Sequence, residues 1–433
     1  MSLTDDRPWC ESPTRREFLG IAGATVAPLL VPQFIHAAGT DLLRVGLVGC
    51  GGRGTGAASQ ALRADPNVRL TAMADAFADH LDRSVGELQK DEEIAAKIDV
   101  PPERRFVGFD ACDRLLASGV DVVLLATPPH FRPRHLEAAV AAGKHVFAEK
   151  PVAVDAPGVR SVLESCRRAR EKGLSVVSGL CLRYSHGFRE AVARIHDGAI
   201  GAVVALQAND YRGPIWDKQR RPEWSDMEWQ LRNWYYYTWL SGDFNVEQHV
   251  HLLDVCAWLA GNRYPDRATG TGGRQVRTGP EFGNIFDHFS VVYEYNDGPR
   301  TFATCRQIPG CSNDISIQVL GTRGTAHISE KRLAIDSRDS AKSWALRGKD
   351  NNFYQTEHDE LFASIRSGKP INNGEYMAHS TLLAIQGRMS AYTGRTIGWE
   401  QALGSKEDLT PPAYNWGPLS EPAVAIPGVT RFV

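Results

Sequence analysis

The sequence predicts two fused folds: an N-terminal α/β domain with a doubly wound parallel sheet, and a C-terminal α+β domain with an open, largely antiparallel sheet. Between residues 42 and 178, short apolar runs alternate with helix-like segments, the pattern of a parallel sheet wrapped by helices. A glycine-rich turn joins the first run to the first helix. Beyond about residue 200 the strand-like runs lose that alternation. The divisions drawn are 1–38 for a leader, 41–180 and 181–409 for the two domains, and 410–433 for a Pro-rich tail.

In chain order, the leader comes first. Thr14-Arg15-Arg16-Glu17-Phe18-Leu19-Gly20 precedes an uncharged run from Leu19 to Ile35 and a small-residue exit at His36-Ala37-Ala38. This is the layout of a twin-arginine export signal. The run contains Gly20, Gly23, Pro28 and Pro32, which makes an uncleaved anchor the poorer alternative. The expectation is a periplasmic or otherwise extracytoplasmic protein, partnered in transit by the twin-arginine export machinery. That route carries folded cargo, so any dinucleotide must travel bound and stay bound.

Composition fits an ordinary two-domain globular chain. The 433 residues are 42% hydrophobic and 23% charged, and 49 Lys and Arg stand against 51 Asp and Glu for a net charge of −2. No basic surplus exists to neutralise phosphates, so nucleic acid is excluded as a partner. Of eight cysteines none forms a CxxC pair, so a disulfide framework is not expected. One pairing, Cys305 with Cys311 across Pro309-Gly310, is left open.

The first strand, Leu42 to Val48, runs into Gly49-Cys50-Gly51-Gly52-Arg53-Gly54, and a helix follows over Ala57 to Ala64. Strand, glycine turn and helix together specify a Rossmann dinucleotide site. Gly49 allows the tight turn, Gly51 lets the backbone approach a pyrophosphate, and Gly54 lets helix and strand pack closely. Gly52 and Arg53 complete the turn. The next strand, Val68 to Ala74, ends at Asp75, placed to accept hydrogen bonds from the adenosine ribose hydroxyls and to repel a 2′-phosphate. Ala76 and Phe77 follow with no arginine, so NAD is favoured over NADP.

A strand from Val120 to Ala126 ends in Thr127-Pro128-Pro129-His130. The helix Arg134 to Ala142 leads to a strand, Val146 to Ala148, which ends in Glu149-Lys150-Pro151. Gly49, Asp75, Thr127 and Lys150 thus all lie at the carboxyl ends of strands, where ligands of such sheets gather. A helix from Val159 to Lys172 and a strand from Ser175 to Ser178 close the domain.

The glycine turn, the Thr-Pro-Pro-His segment and Glu149-Lys150-Pro151 together resemble the glucose–fructose oxidoreductase/inositol dehydrogenase/MocA (Gfo/Idh/MocA) family, across roughly residues 41 to 400. The resemblance implies that Thr127, Pro128, His130, Glu149 and Lys150 contact the cofactor, and that Lys150 also reaches the substrate hydroxyl. It implies a homo-oligomer, a dimer or tetramer. By family position, Arg183-Tyr184 and Tyr211-Arg212 are candidate substrate contacts.

Strand-like runs follow at Ala202–Ala208, Phe286–Tyr295, Arg300–Arg306 and Ile315–Leu320. Among them lies Trp239-Leu-Ser-Gly-Asp243-Phe-Asn-Val-Glu247-Gln248-His249-Val-His251-Leu-Leu-Asp254. Its spacing predicts one amphipathic helix with an apolar stripe of Val246, Val250, Leu253 and Ala257. Glu247, His251 and Asp254 share the adjacent face, and His249 points elsewhere. The family carries Asp-x-Gly-x-His here, with the histidine as proton acceptor; in this chain Glu247 replaces the aspartate and His249 the glycine. The expectation is His251 as base, supported by Glu247, with Lys150 stabilising the developing alkoxide. Gln248 is a candidate substrate contact. The alternatives are a structural helix histidine paired with Glu247 and nothing more, and a metal held by Glu247, His251 and Asp254, which lacks an outside ligand and is not adopted.

Upstream lie Trp224, Trp229, Trp234, Tyr235, Tyr236, Tyr237 and Trp239, with Arg221 and Arg232 interleaved. These suit either a carbohydrate platform, with Trp234 the favoured contact, or a core. A late helix, about 371–394, is expected to bring His379 and Ser380 to the pocket, and the tail after Leu409 to wrap a neighbouring subunit. The function expected is an exported NAD-dependent oxidoreductase acting on a secondary hydroxyl of a sugar, glycoside or polyol. The rivals are a redox-neutral NAD-using glycosidase and a sugar-binding protein without catalysis, the last disfavoured by the intact Lys150, Glu247 and His251.

Overall fold

The computed structural model describes residues 41–433; the expected leader, 1–38, lies outside the described residues. The first sheet has six strands: β1 (Leu43–Val48), β2 (Val68–Asp75), β3 (Arg105–Val107), β4 (Val122–Leu125), β5 (His145–Ala148) and β6 (Val176–Ser178). They run in the order β3-β2-β1-β4-β5-β6, every pairing parallel. Chain order reverses direction between β1 and β4, and that switch point is where such sheets bind ligands. All four residues of β4 are buried, as expected of a strand covered by helices on both faces. The helix Ala156–Glu171 starts three residues before its predicted position, because the Asp155 side chain accepts the Gly158 N–H at 2.8 Å and Pro157 fits its first turn.

The second sheet has nine strands. At its centre Val203–Arg212 runs parallel to Arg300–Gln307 and antiparallel to Asp314–Gly321. All other pairings are antiparallel, as expected from the sequence. Arg267–Gly273 is a strand that its glycine- and threonine-rich sequence did not announce. It forms because His288–Glu294 pairs along its whole length, so tertiary context overrides propensity.

Three expectations change. The helix foreseen between Trp239 and Gly261 is broken into Thr238–Ser241, Phe244–Glu247 and Val250–Leu259. Its first break is at Gly242 and Asp243, which both have positive φ. The last piece is buried nearly all round rather than amphipathic. Second, the helix Phe353–Arg366 packs on the first sheet despite lying late in the chain: Leu361, Phe362 and Ile365 join the core around Leu43 and Val68. Arg366 pairs with Asp65 at 2.8 Å. Third, the tail packs along its own chain. Tyr414 reaches His130, the Met227 N–H donates to the Gly417 carbonyl, and the Gly428 N–H donates to the Thr393 carbonyl. The seven described cysteines are all free; Cys305 is buried and Cys311 exposed, so the open pairing is not made.

Candidate active site

The glycine turn is held by close backbone packing. A Cβ on Gly54 would lie 1.9 Å from the Gly49 carbonyl oxygen, and one on Gly49, at φ +96°, would lie 2.5 Å from the Thr127 nitrogen. Gly51 and Gly52 instead face open space: a Cβ on either would have no neighbouring atom within 4 Å. The helix Gly52–Ala64 begins there with no side-chain cap, so its first N–H groups are free for an anion. An open glycine pair over an uncapped helix start fits a dinucleotide pyrophosphate. Asp75 stands at the end of the neighbouring strand, its oxygens accepting the Cys50 N–H at 2.6 Å and the Phe77 N–H at 2.9 Å.

These groups line a cleft of about 540 Å³. Gly49, Gly51, Gly52, Arg53, Gly54, Asp75, Thr127 and Pro128 are all on its wall. So are Trp234 and Arg232 of the aromatic stretch, joined by two residues from the second half that the sequence did not flag, Trp216 and Lys218.

Lys150 lies two residues beyond β5, level with Thr127 two residues beyond the paired β4. Its Nζ donates to both the Glu247 carbonyl and Glu247 Oε1, each at 2.8 Å. The two side chains keep 15% and 11% exposure, so this pair is shielded from bulk water. Glu247 was expected to support His251; it engages Lys150 instead, because the helix break at Gln248–His249 removes the four-residue spacing. His251 is partly exposed, with Nδ1 buried and without a partner. Burial first, then Lys150 and Arg212, hold its pKa well below the usual histidine range, so the ring is neutral at working pH. A neutral imidazole beside a cation is competent to accept a proton.

Behind this pair, Arg53 carries ion pairs to Glu149 and, at 2.8 Å, to Glu357. The Lys150 N–H donates to Glu149 Oε2 at 3.1 Å. Arg53 therefore ties the glycine turn, through Glu149, to the backbone of Lys150. Its guanidinium serves that link, while its backbone faces the cleft. Burial pushes Glu357 well above the usual carboxylate range. Glu357 was invisible in the sequence, since its partner Arg53 lies 304 positions away at the start of the first helix.

Several predicted contacts lie elsewhere. Arg183 makes a bidentate pair with buried Asp254 at 2.8 Å, and Ser380 bonds the same carboxylate at 2.7 Å. Asp254 is thereby withdrawn from Glu247 and His251, and the three do not converge on a metal. Among the described residues no group of three metal-ligating side chains forms a site. Tyr184 is buried, with its hydroxyl on Asn373 Oδ1 at 2.6 Å. His379 packs against Tyr264 and Trp399. His130 is buried, bonded to the Tyr414 hydroxyl at 2.7 Å, with its pKa pushed down to about 4 by burial. Gln248 sits half-buried at the helix break.

Tyr211 occupies the wrong face of its strand. Successive side chains alternate; Asp210 faces buried His249 at 3.7 Å, so Tyr211 points to the other face, bonded to Thr304 at 2.7 Å. Arg212 returns to the Asp210 side and pairs with it. Burial would raise the Asp210 carboxyl, but the neighbouring His249 and Arg212 prevail and lower it. The two-residue period was the signal that favours Arg212 over Tyr211. Of the aromatic stretch, Trp229, Tyr235, Tyr236, Tyr237 and Trp239 are buried, so it is largely core.

Residues 43–178 match the oxidoreductase family Gfo/Idh/MocA, NAD-binding Rossmann fold, and residues 192–380 match its C-terminal alpha/beta domain. The chain is 26% identical over 267 residues to 2,7-anhydro-N-acetylneuraminate hydratase of Escherichia coli, covering 61% of this chain and 65% of that protein. It is 23% identical over 324 residues to inositol 2-dehydrogenase of Rhizobium meliloti, covering 74% and 86%. The match to a second such hydratase, from Mediterraneibacter gnavus, spans only 43% of that protein's length. In fold, the chain is similar to aldose-aldose oxidoreductase from Caulobacter crescentus, with a TM-score of 0.64 at 19% identity over 82% of this chain and 99% of that one.

Proposed function

The chain belongs to the Gfo/Idh/MocA oxidoreductase family and has its NAD-binding domain; from that premise we propose that it is an exported enzyme that moves hydride between a retained NAD and a secondary hydroxyl of a sugar, glycoside or polyol. The observation that carries this is the shielded Lys150–Glu247 pair at the strand ends beside the cofactor cleft. Bound NAD supplies the hydride acceptor. Gly51, Gly52 and the helix start would hold its pyrophosphate, and Asp75 its adenosine ribose. Lys150 orients the substrate oxygen and stabilises the negative charge that develops as its proton leaves. His251, neutral and next to Lys150, takes that proton. Glu247 fixes the lysine ammonium in place.

Export and an extracytoplasmic site rest on Thr14 to Ala38, and assembly into a dimer or tetramer on the family resemblance. With no free dinucleotide pool outside the cytoplasm, retained NAD must be recycled within one catalytic cycle. Two relatives bear names that denote hydration, which favours, as the second possibility, a redox-neutral cycle that oxidises, eliminates and re-reduces one sugar.

Protein purified without added cofactor tests the proposal. About one NAD(H) per chain, released on denaturation and bleached or formed near 340 nm by a sugar or polyol, supports it. Release of aglycone from an aryl glycoside without net NADH selects the redox-neutral cycle. Protein that is empty and silent to both substrate classes rejects both.

A further inference from the structure

The adenosine end of the cleft is crossed by a side chain from the other half of the molecule. Arg232, the last residue of the helix Asp226–Arg232, lines the cleft, and its guanidinium lies 4.0 Å over the ring of Phe77, itself on the cleft wall two residues after Asp75. The same guanidinium forms a bidentate pair with Asp79 in the first turn of the helix Ala78–Gln89, at 3.0 and 3.1 Å. Glu228 Oε1 accepts from its Nε at 2.8 Å and sets the angle of the fork. The arginine side chain is 16% exposed, so the guanidinium is largely covered, while its partner Asp79 keeps 49% exposure.

The tail packs on the same wall. Trp416 packs on Phe77 with ring centroids 5.4 Å apart and on Phe109, another cleft residue, at 4.6 Å. The tail is anchored to the second half just beyond: the Leu419 N–H donates to Asp226, and Gln230 donates to the Leu419 carbonyl. Asp226 and Gln230 belong to the helix that ends in Arg232. One helix therefore fixes both the arginine and the tail on the ring that faces adenosine.

We propose that Arg232, pinned on Asp79 and Phe77 and backed by Trp416, is a cofactor-retaining residue that clasps the adenosine end of the bound NAD and slows its release. This rests on the retained-cofactor function proposed above and gives it a physical cause. For the adenosine to leave past this wall, the bidentate pair must break and the guanidinium must lift from the ring, so the contacts act on the dissociation rate. A fork geometry with simultaneous ring stacking suits arginine and not lysine.

The experiment is exchange of radiolabelled NAD from the loaded full-length protein against unlabelled NAD. Arg232→Gln, Asp79→Asn and their double variant are compared with wild type. Arg263→Gln, which removes an exposed pair with Asp297, serves as control for nonspecific loosening. The expected result is exchange at least about tenfold faster in each clasp variant, with the double variant no faster than the quicker single one, and the control unchanged. Arg232→Lys falls between, and Trp416→Ala gives a smaller acceleration. Asp79 is a surface residue, so its variant folds even where an arginine change does not. Exchange in Asp79→Asn and Arg232→Gln at the wild-type rate overturns the clasp. So does equal acceleration in the control. The ratio of variant to wild type decides the clasp, whereas the absolute wild-type rate decides retention: rapid wild-type exchange rejects the retained-cofactor function even where the ratio holds.

Discussion

The glycine turn and the lysine–glutamate junction lie at the ends of neighbouring strands, yet they are built differently. In the turn, backbone atoms face backbone atoms: Gly54 on the Gly49 carbonyl, Gly49 on Thr127, and the free amides of a helix start on open space. In the junction, Lys150 meets a side chain 97 positions away, and its backbone N–H rests on Glu149, whose partner Arg53 also pairs with Glu357, a further 110 positions on. A site made of backbone needs only the strand ends of its own sheet to meet. A site made of side chains needs the whole fold to be correct. The first binds a cofactor common to many enzymes, and the second is where one reaction is distinguished from another.

Lys150→Met separates the two most sharply. It removes the charge proposed to stabilise the developing alkoxide while leaving the glycine turn untouched. Turnover is expected to fall by about 10²–10⁴-fold with cofactor content unchanged. Glu247→Gln costs less, about tenfold, because an amide oxygen still accepts from the ammonium. Turnover and the NAD released on denaturation are measured together; a parallel loss of both would show that junction and turn are one unit.

Gly54→Ala and Gly51→Ala break the turn in opposite ways. The first forces a methyl into the Gly49 carbonyl and is expected to cost about 1–3 kcal/mol of stability or more. The second meets nothing in the protein, so it leaves the stability of the cofactor-free chain within about 0.5 kcal/mol of wild type. It loses cofactor all the same, because the methyl occupies the approach of the pyrophosphate. Calorimetry with and without added NAD distinguishes the two.

What was legible in the sequence follows this division. Gly49 to Gly54, Asp75 and Thr127 are where the pattern put them, since each depends on its own strand end. Arg183 and Tyr211 were misplaced for physical reasons the chain does not announce locally. Arg183 finds Asp254 only when two segments 71 positions apart pack together. Tyr211 points to the face opposite Asp210 and Arg212 by a single step of the strand alternation, which a count from Asp210 would have caught. The break at Gly242–Asp243 was hidden because Asp243 holds a positive φ through bonds to Phe286 and Tyr392, both remote. His130 reads as a cleft residue until the tail is in place.

Acid tests the two regions by titration. Burial lowers the pKa of His130 to about 4 and of His135 to about 3, and lowers His251 and His358 well below the usual range. In the unfolded chain each titrates near 6.5. Below that pH the unfolded state binds protons that the folded state refuses. Their contribution is therefore complete above about pH 6.5 and is lost as pH falls toward 4, at about 1.4 kcal/mol per pH unit for each histidine. Asp243, raised to about 6 by burial, opposes this by taking up a proton in the folded state. With four histidines against it, the thermal midpoint is expected to fall between pH 6.5 and 4. His130→Phe should flatten that fall without changing the pH profile of turnover, whereas any change at His251 moves the turnover profile.

The smallest expected effect is the most discriminating for the junction. Tyr211→Phe deletes a hydroxyl bonded to Thr304 on the sheet face opposite His249. A side-chain hydrogen bond of this kind contributes about 1 kcal/mol to stability, and turnover should stay within about twofold of wild type. Arg212→Lys, one residue on, keeps the charge but loses the fork on Asp210, the carboxylate that faces His249, and it lies close enough to His251 to help hold its pKa down. It should shift the pH dependence of turnover. Neighbours one position apart, with effects on opposite sides of the sheet, would establish that strand parity assigns the residues of this site. A large loss of turnover in Tyr211→Phe would place the substrate on the other face of the second sheet and separate it from the Lys150–Glu247 pair.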